Sequence, residues 1–199
     1  MELGGLIAGL GNPGKEYADT RHNYGFLLVD ALLEECAKNG RVSELSGRKD
    51  AFSLWRCSLR GNKDWLVCKP LAFMNRSGEA VQRICAYYHL PPERLLVLHD
   101  ELDLPLGRIK MKTGGGNAGH NGLRSVQQML ATPEFHRLRL GIGKPEGYDA
   151  ASYVLARFTS AEQSLLEETL LAAVRGVLLF MREGIRPAQQ FCNGFSPCA

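Results

Sequence analysis

The sequence predicts an α/β fold: a single three-layer domain over residues 1–199, with a twisted mixed β-sheet flanked by helices. Three observations predict it. Short apolar or alternating runs of strand type interleave with helical periodicities along the whole chain. No linker-like stretch, internal repeat or low-complexity tract divides it. The 199 residues, 45% hydrophobic and 23% charged, suit one globular domain that buries a core without metal or disulfide staples.

The elements follow in order. Residues 6–10 are an apolar run closed by Gly11-Asn12-Pro13-Gly14, which reads as a buried strand and turn. Phe26, Val29, Leu33 and Cys36 lie at helical spacing, with Asn23 as N-cap and Gly40 at the stop. Residues 51–59 and 65–68 read as strands joined at Gly61-Asn62, a hairpin signal. Val81, Ile84, Cys85 and Tyr88 define an amphipathic helix, with Ser77 as its cap candidate. Residues 95–98 form a buried strand that runs directly into His99-Asp100-Glu101-Leu102-Asp103. Ile109 and Met111 alternate with Arg108, Lys110 and Lys112, a two-faced strand. A helix follows over 121–130, ended by Thr132-Pro133. Leu138, Leu140 and Ile142 alternate with Arg137, Arg139 and Gly141, another strand. Leu166, Leu170, Val174, Val177 and Met181 mark one last long helix starting near Ser160, and the tail after Pro187 carries no assignment.

Composition excludes several classes. The longest apolar stretch, 170–181, is cut by Arg175 and is too short to span a bilayer. The N-terminus lacks a basic n-region and carries Glu2, so no secretory signal is expected. The six cysteines (36, 57, 68, 85, 192 and 198) form no C-x-x-C pair, which leaves a zinc ribbon unsupported and makes reduced, cytosolic thiols the expectation. The net charge of +3 is modest but unevenly placed. Residues 104–144 hold seven basic side chains (Arg108, Lys110, Lys112, Arg124, Arg137, Arg139, Lys144) against Glu134 alone, a net +6, which leaves −3 elsewhere. Strand alternation puts Arg108, Lys110 and Lys112 on one sheet face and Arg137 with Arg139 on one face of another strand, and the window encloses a glycine loop, which favours a phosphate-bearing partner over a plain solvated face.

Four segments can carry chemistry. Gly9-Leu10-Gly11-Asn12-Pro13-Gly14 matches G-x-G-x-x-G after a strand, but no helix opens at once to receive a pyrophosphate. A glycine turn that brings Asn12 close to a site fits better, and no nucleotide cofactor is expected. Residues 114–122 have P-loop spacing, yet His120 and Asn121 stand where lysine and Ser or Thr belong. Asn117, His120 and Asn121 instead sit among glycines that allow close approach to a polar ligand. Asp100, Glu101 and Asp103 follow an apolar strand, where open α/β sheets bind ligands. They can hold a metal, orient a histidine or form a solvated acidic turn. His22, in Thr20-Arg21-His22-Asn23, gains weight if these segments converge on it. A histidine base held by an aspartate, with asparagines fixing water and a carbonyl, suffices for hydrolysis. No G-x-S-x-G nucleophile is present, so direct attack by water is the simpler chemistry.

Taken together, GLGNPGKEYADTRHNYGF, KPLAFMNRSGEAV, HDELDLPLGRIKMKTGGGNAGHNGLRS and FHRLRLGIGKP resemble the linked motifs of the bacterial-type peptidyl-tRNA hydrolases, from residue 7 to about 145 and more loosely along the last helix. The resemblance implies hydrolysis of the ester joining a peptide to the terminal ribose of tRNA, by a cytoplasmic monomer that needs neither metal nor nucleotide cofactor. It implies His22 as general base, Asp100 as its support, and Asn12 beside the reacting ester. It further implies Tyr17, Met74, Asn75, His120 and Asn121 as substrate-binding residues, with Lys112 and Arg139 holding the tRNA's terminal phosphate. The chain departs after Lys69-Pro70, where Leu71-Ala72 stands in place of commoner polar residues. Two rival readings belong to other classes: a catalytically silent RNA-binding relative, and a metal-dependent phosphoesterase using Asp100, Glu101 and Asp103.

Overall fold

Four parallel strands form the middle of one seven-stranded sheet, and antiparallel strands extend it on both sides. The structure, a computed structural model, describes residues 2–45, 51–144, 147 and 149–197. The strands are β1 (Leu3–Gly9), β2 (Gly40–Glu44), β3 (Phe52–Leu59), β4 (Asp64–Pro70), β5 (Leu95–Glu101), β6 (Ile109–Thr113) and β7 (His136–Gly141). Their order is β2-β3-β4-β1-β5-β7-β6, with β4, β1, β5 and β7 parallel. The helices are α1 (Tyr24–Asn39), α2 (Ser77–Tyr87), α3 (Asn121–Leu130), α4 (Ala150–Val154), α5 (Gln163–Glu183) and α6 (Ile185–Gly194).

The period-2 alternation of the strands builds the three layers. Ile7, Leu96, Leu98, Leu138 and Leu140 point into a core shared with α1, α5 and α6. Leu6, Ala8, Leu95 and Val97 point into a second core shared with α2 and α3. The central strands are therefore apolar on both faces, as parallel strands covered by helices must be. β5 is buried over its whole length.

Several local expectations change. Asn23 stands just before α1 but does not cap it; its side chain bonds the Asn12 backbone instead. Gly40 ends α1 and also begins β2, a short polar edge strand that sequence periodicity missed. Ser77 is the first residue of α2, and its hydroxyl donates to Met74 O at 2.9 Å. Asp100 and Glu101 belong to β5 itself, not to a turn after it. The expected last helix is α5, which ends at Gly184, where φ is +84°, and the unassigned tail forms α6. α6 covers the free edge of β6, and Asn193 Oδ1 accepts the Met111 amide at 2.8 Å. α4 is too short to show a period. Cys36, Cys57, Cys68, Cys85 and Cys192 are free and buried, and Cys198 lies outside the described residues. Burial pushes the Cys85 and Cys192 thiols up to about 11 and about 12.

Candidate active site

Close backbone contact, rather than side-chain packing, sets the first half of the site. A Cβ on Gly25, in the first turn of α1, would stand 2.4 Å from Leu98 O and 2.5 Å from Leu10 N. A Cβ on Gly9 would meet Gly25 O at 2.4 Å. Only glycine at both positions lets α1 rest directly on β1 and β5. The short 3₁₀ turn Arg21–Asn23 just before it is thereby laid across the carboxyl end of β5, next to Asp100.

The second half comes from the other face. Gly114, Gly115 and Gly119 have φ of +64°, +95° and +79°, a path that side-chain-bearing residues resist. The loop delivers His120 to the N-cap of α3, where its Nδ1 accepts the amides of Gly122 (3.1 Å) and Leu123 (3.3 Å). Arg137 holds this loop from below. Its guanidinium donates to Gly116 O and Gly115 O at 2.8 and 2.9 Å and stacks on Phe135. Arg137 is fully buried, so it is not part of the exposed basic face that alternation alone predicts.

The halves meet at Asp100. His22 Nδ1 lies 3.0 and 3.1 Å from the two carboxylate oxygens, and His120 Nε2 lies 3.0 Å from Oδ1. The network fixes the tautomers. Because His120 Nδ1 accepts two amides, its proton is on Nε2 and points to Asp100. His22 donates from Nδ1, which leaves Nε2 as its basic nitrogen. Burial by itself would push the Asp100 carboxyl up, but His120 and His22 outweigh it and hold the group well below the usual carboxylate range. His99, buried behind the pair, donates from Nδ1 to Asp100 O at 2.7 Å, and burial keeps its pKa well below the usual histidine range.

His22, Asp100 and His120 line a cavity of about 440 Å³ together with Glu101, Asn121 and, from α4, Ala150, Ala151 and Val154. Arg21 anchors that far wall. Its amide donates to Ala156 O at 3.0 Å, its guanidinium pairs with Glu162 at 2.8 and 2.9 Å and stacks on Tyr153 and Phe158. Sequence reasoning missed this wall and the double use of Asp100. The cap-forming pair Asp149 and Ser152 was its one legible sign.

The remaining expected residues sit beside the cavity rather than on its lining. Asn12 is buried, its backbone clasped by Asn23 at 2.8 and 3.0 Å, and its Oδ1 accepts the Met74 amide at 2.7 Å. Met74 is buried against the start of α3, its sulfur 2.5 Å from where a Gly122 Cβ would be. Asn75 is exposed and Tyr17 is half-buried. Lys112 and Arg139 lie on one face of β6 and β7, where Lys110 pairs with Arg139 and Lys112 with Arg137 across the ladder. Burial, then the charges of Arg139 and Arg137, push the Lys112 amine below its ordinary value.

The three carboxylates do not form a shared metal site. Glu101 binds Arg139 at 2.8 Å and the Asp103 amide at 3.2 Å, while Asp103 is exposed. Among the described residues, the grouping with metal-like spacing is His22, Asp100 and His120, within 4.8 Å of one another. The nitrogen–oxygen separations there are hydrogen-bond lengths.

The family model described as peptidyl-tRNA hydrolase matches residues 6–197. A peptidyl-tRNA hydrolase of Oleidesulfovibrio alaskensis is 56% identical over 196 residues, 97% of this chain and 98% of the relative. One of Nitratidesulfovibrio vulgaris is 55% identical over 201 residues, covering 99% and 100%. The crystal structure of peptidyl-tRNA hydrolase from Acinetobacter baumannii matches with a TM-score of 0.89 at 38% identity, over 100% of this chain and 99% of that one.

Proposed function

The chain belongs to the peptidyl-tRNA hydrolase family, and on that premise we propose that its His22–Asp100 pair drives water onto the ester of peptidyl-tRNA. His22 Nε2 takes a proton from water as the oxygen attacks the ester carbonyl carbon. The tetrahedral intermediate collapses with loss of the ribose hydroxyl, which receives the proton back from His22, and the peptide leaves as its acid. Asp100 holds His22 in the tautomer that leaves Nε2 basic and stabilises the imidazolium that forms. The ionised Asp100, gripped from two sides, is the observation that carries this reading.

Asn12 supplies the next group. Its Oδ1 is spent on the Met74 amide, so its NH₂ end is the donor left for the developing oxyanion or the water. Asn121, Asn75, Met74, His120 and Tyr17 complete the substrate contacts, and the cavity wall formed by α4 suits an apolar peptide side chain. Lys112 and Arg139 take the terminal phosphate of the tRNA. The protein acts as a cytoplasmic monomer with no metal or nucleotide. No helix among the described residues is long and apolar enough to cross a membrane.

The test is release of labelled peptide from N-acetyl-aminoacyl-tRNA. His22→Ala is expected to lose turnover by at least about 10²-fold while still binding tRNA. Hydrolysis by that variant near the parent rate overturns the assignment. Loss of parent activity in EDTA would favour the metal-dependent alternative.

A further inference from the structure

Glu101 is a buried carboxylate that the proposed hydrolysis does not use. It follows Asp100 in β5 but, by strand alternation, lies on the opposite face, the one shared by Arg139, Lys110 and Lys112. Its two oxygens have separate partners. Oε1 accepts the Asp103 amide at 3.2 Å, and Oε2 accepts Arg139 Nε at 2.8 Å. The Glu101 side chain is 7% exposed and that of Arg139 20%. The carboxylate is thus pinned by its own turn, and the longer, more exposed arginine conforms to it.

The bond uses Nε alone. Among the described residues, nothing accepts from Nη1 or Nη2 of Arg139, so the end-on edge of the guanidinium stays available for two parallel bonds to one anion. Arg139 stands in a crowded cationic strip. Lys110 faces it across the ladder, Lys112 and Arg137 form the neighbouring pair, and Glu101 is the acid that draws Lys112 the other way. Without Glu101, like-charge repulsion would drive Arg139, the more exposed of the two arginines, outward.

We propose that Glu101 is a positioning residue for substrate discrimination: by fixing Nε of Arg139 it presents the Nη1/Nη2 edge to a terminal phosphomonoester. This rests on the reading that Arg139 and Lys112 take the phosphate at the tRNA terminus. The 3′ end carries the ester, so that phosphate is the 5′ one.

The experiment compares N-acetyl-aminoacyl-tRNA with the same substrate after removal of its 5′ phosphate. For Glu101→Ala, the ratio of kcat/KM between the two is expected to fall roughly tenfold, carried by KM. Glu101→Gln keeps an acceptor for Nε and is expected to restore most of the ratio. If Glu101→Ala fails to fold, Glu101→Asp keeps the charge one methylene short of Nε and is expected to show the same fall. Arg139→Ala serves as the reference. If it lowers the ratio and the Glu101 variants do not, this inference is overturned while the phosphate reading stands. If Arg139→Ala leaves the ratio unchanged, the phosphate reading falls and this inference with it.

Discussion

At Asp100 one carboxylate accepts from two imidazoles, so removing its charge affects both. In Asp100→Asn, an amide oxygen at the Oδ1 place can still accept from His22 Nδ1 and His120 Nε2, but the NH₂ end then takes the Oδ2 place and meets the Nδ1–H of His22, donor against donor. Turnover is expected to fall by about 10²- to 10⁴-fold with little change in tRNA binding, as measured by single-turnover release of peptide. A variant within threefold of the parent would remove Asp100 from the mechanism. The same group ties stability to pH. Its folded-state pKa is depressed, so its contribution is complete above the unfolded value of about 4 and is lost as pH falls toward the folded value. Acid unfolding of the parent should therefore show a steeper dependence on pH below about 4 than that of Asp100→Asn. The sequence identified His22 and Asp100 as partners through their motifs. The second grip by His120 was hidden, because its ring bridges a helix cap and a strand 20 residues apart in the chain.

Among the elements, the contact of α1 with β1 and β5 is the least forgiving. Gly25→Ala would push a methyl group into two backbone atoms, Leu98 O and Leu10 N, neither of which can rotate away. The expected cost is about 3 kcal/mol, at the upper end of overpacking, read as a lower urea midpoint at unchanged m. Because α1 carries the His22 turn, kcat should also fall at urea-free conditions where the variant is fully folded. An unchanged midpoint would mean that the helix and strands separate more easily than their packing implies. Periodicity predicted α1, α2, α3 and every central strand, since each is long enough to repeat its buried face. It missed β2 and α4, at five residues each, and it left α6 unassigned in the tail beyond Gly184.

Over the whole molecule, a small net charge conceals a strong asymmetry. Of the +6 window, Lys110, Lys112 and Arg139 share the β6–β7 face, while buried Arg137 on the same face is spent on the glycine loop. Binding of a tRNA substrate there should release counterions, so log KM should rise with log salt. Lys112→Ala is expected to reduce that slope by about 0.7 to 0.9, one phosphate contact, while the parent and Asp100→Asn keep the same slope. Equal slopes for the parent and Lys112→Ala would take Lys112 out of the phosphate site.

By itself the sequence determined the α/β class, the interleaved order of strands and helices, the family resemblance, and the set of polar residues around a glycine loop. Those properties reside in local periodicity and in short motifs, which are continuous in the chain. Only the tertiary structure decided how they combine. It gave Asp100 two histidines, buried Arg137 but left Arg139 partly open on the same face of β7, and closed the cavity with a helix too short to show a period. The reason is physical. Alternation states which face a side chain takes, but burial and hydrogen-bond partners on that face depend on what the rest of the chain lays over it.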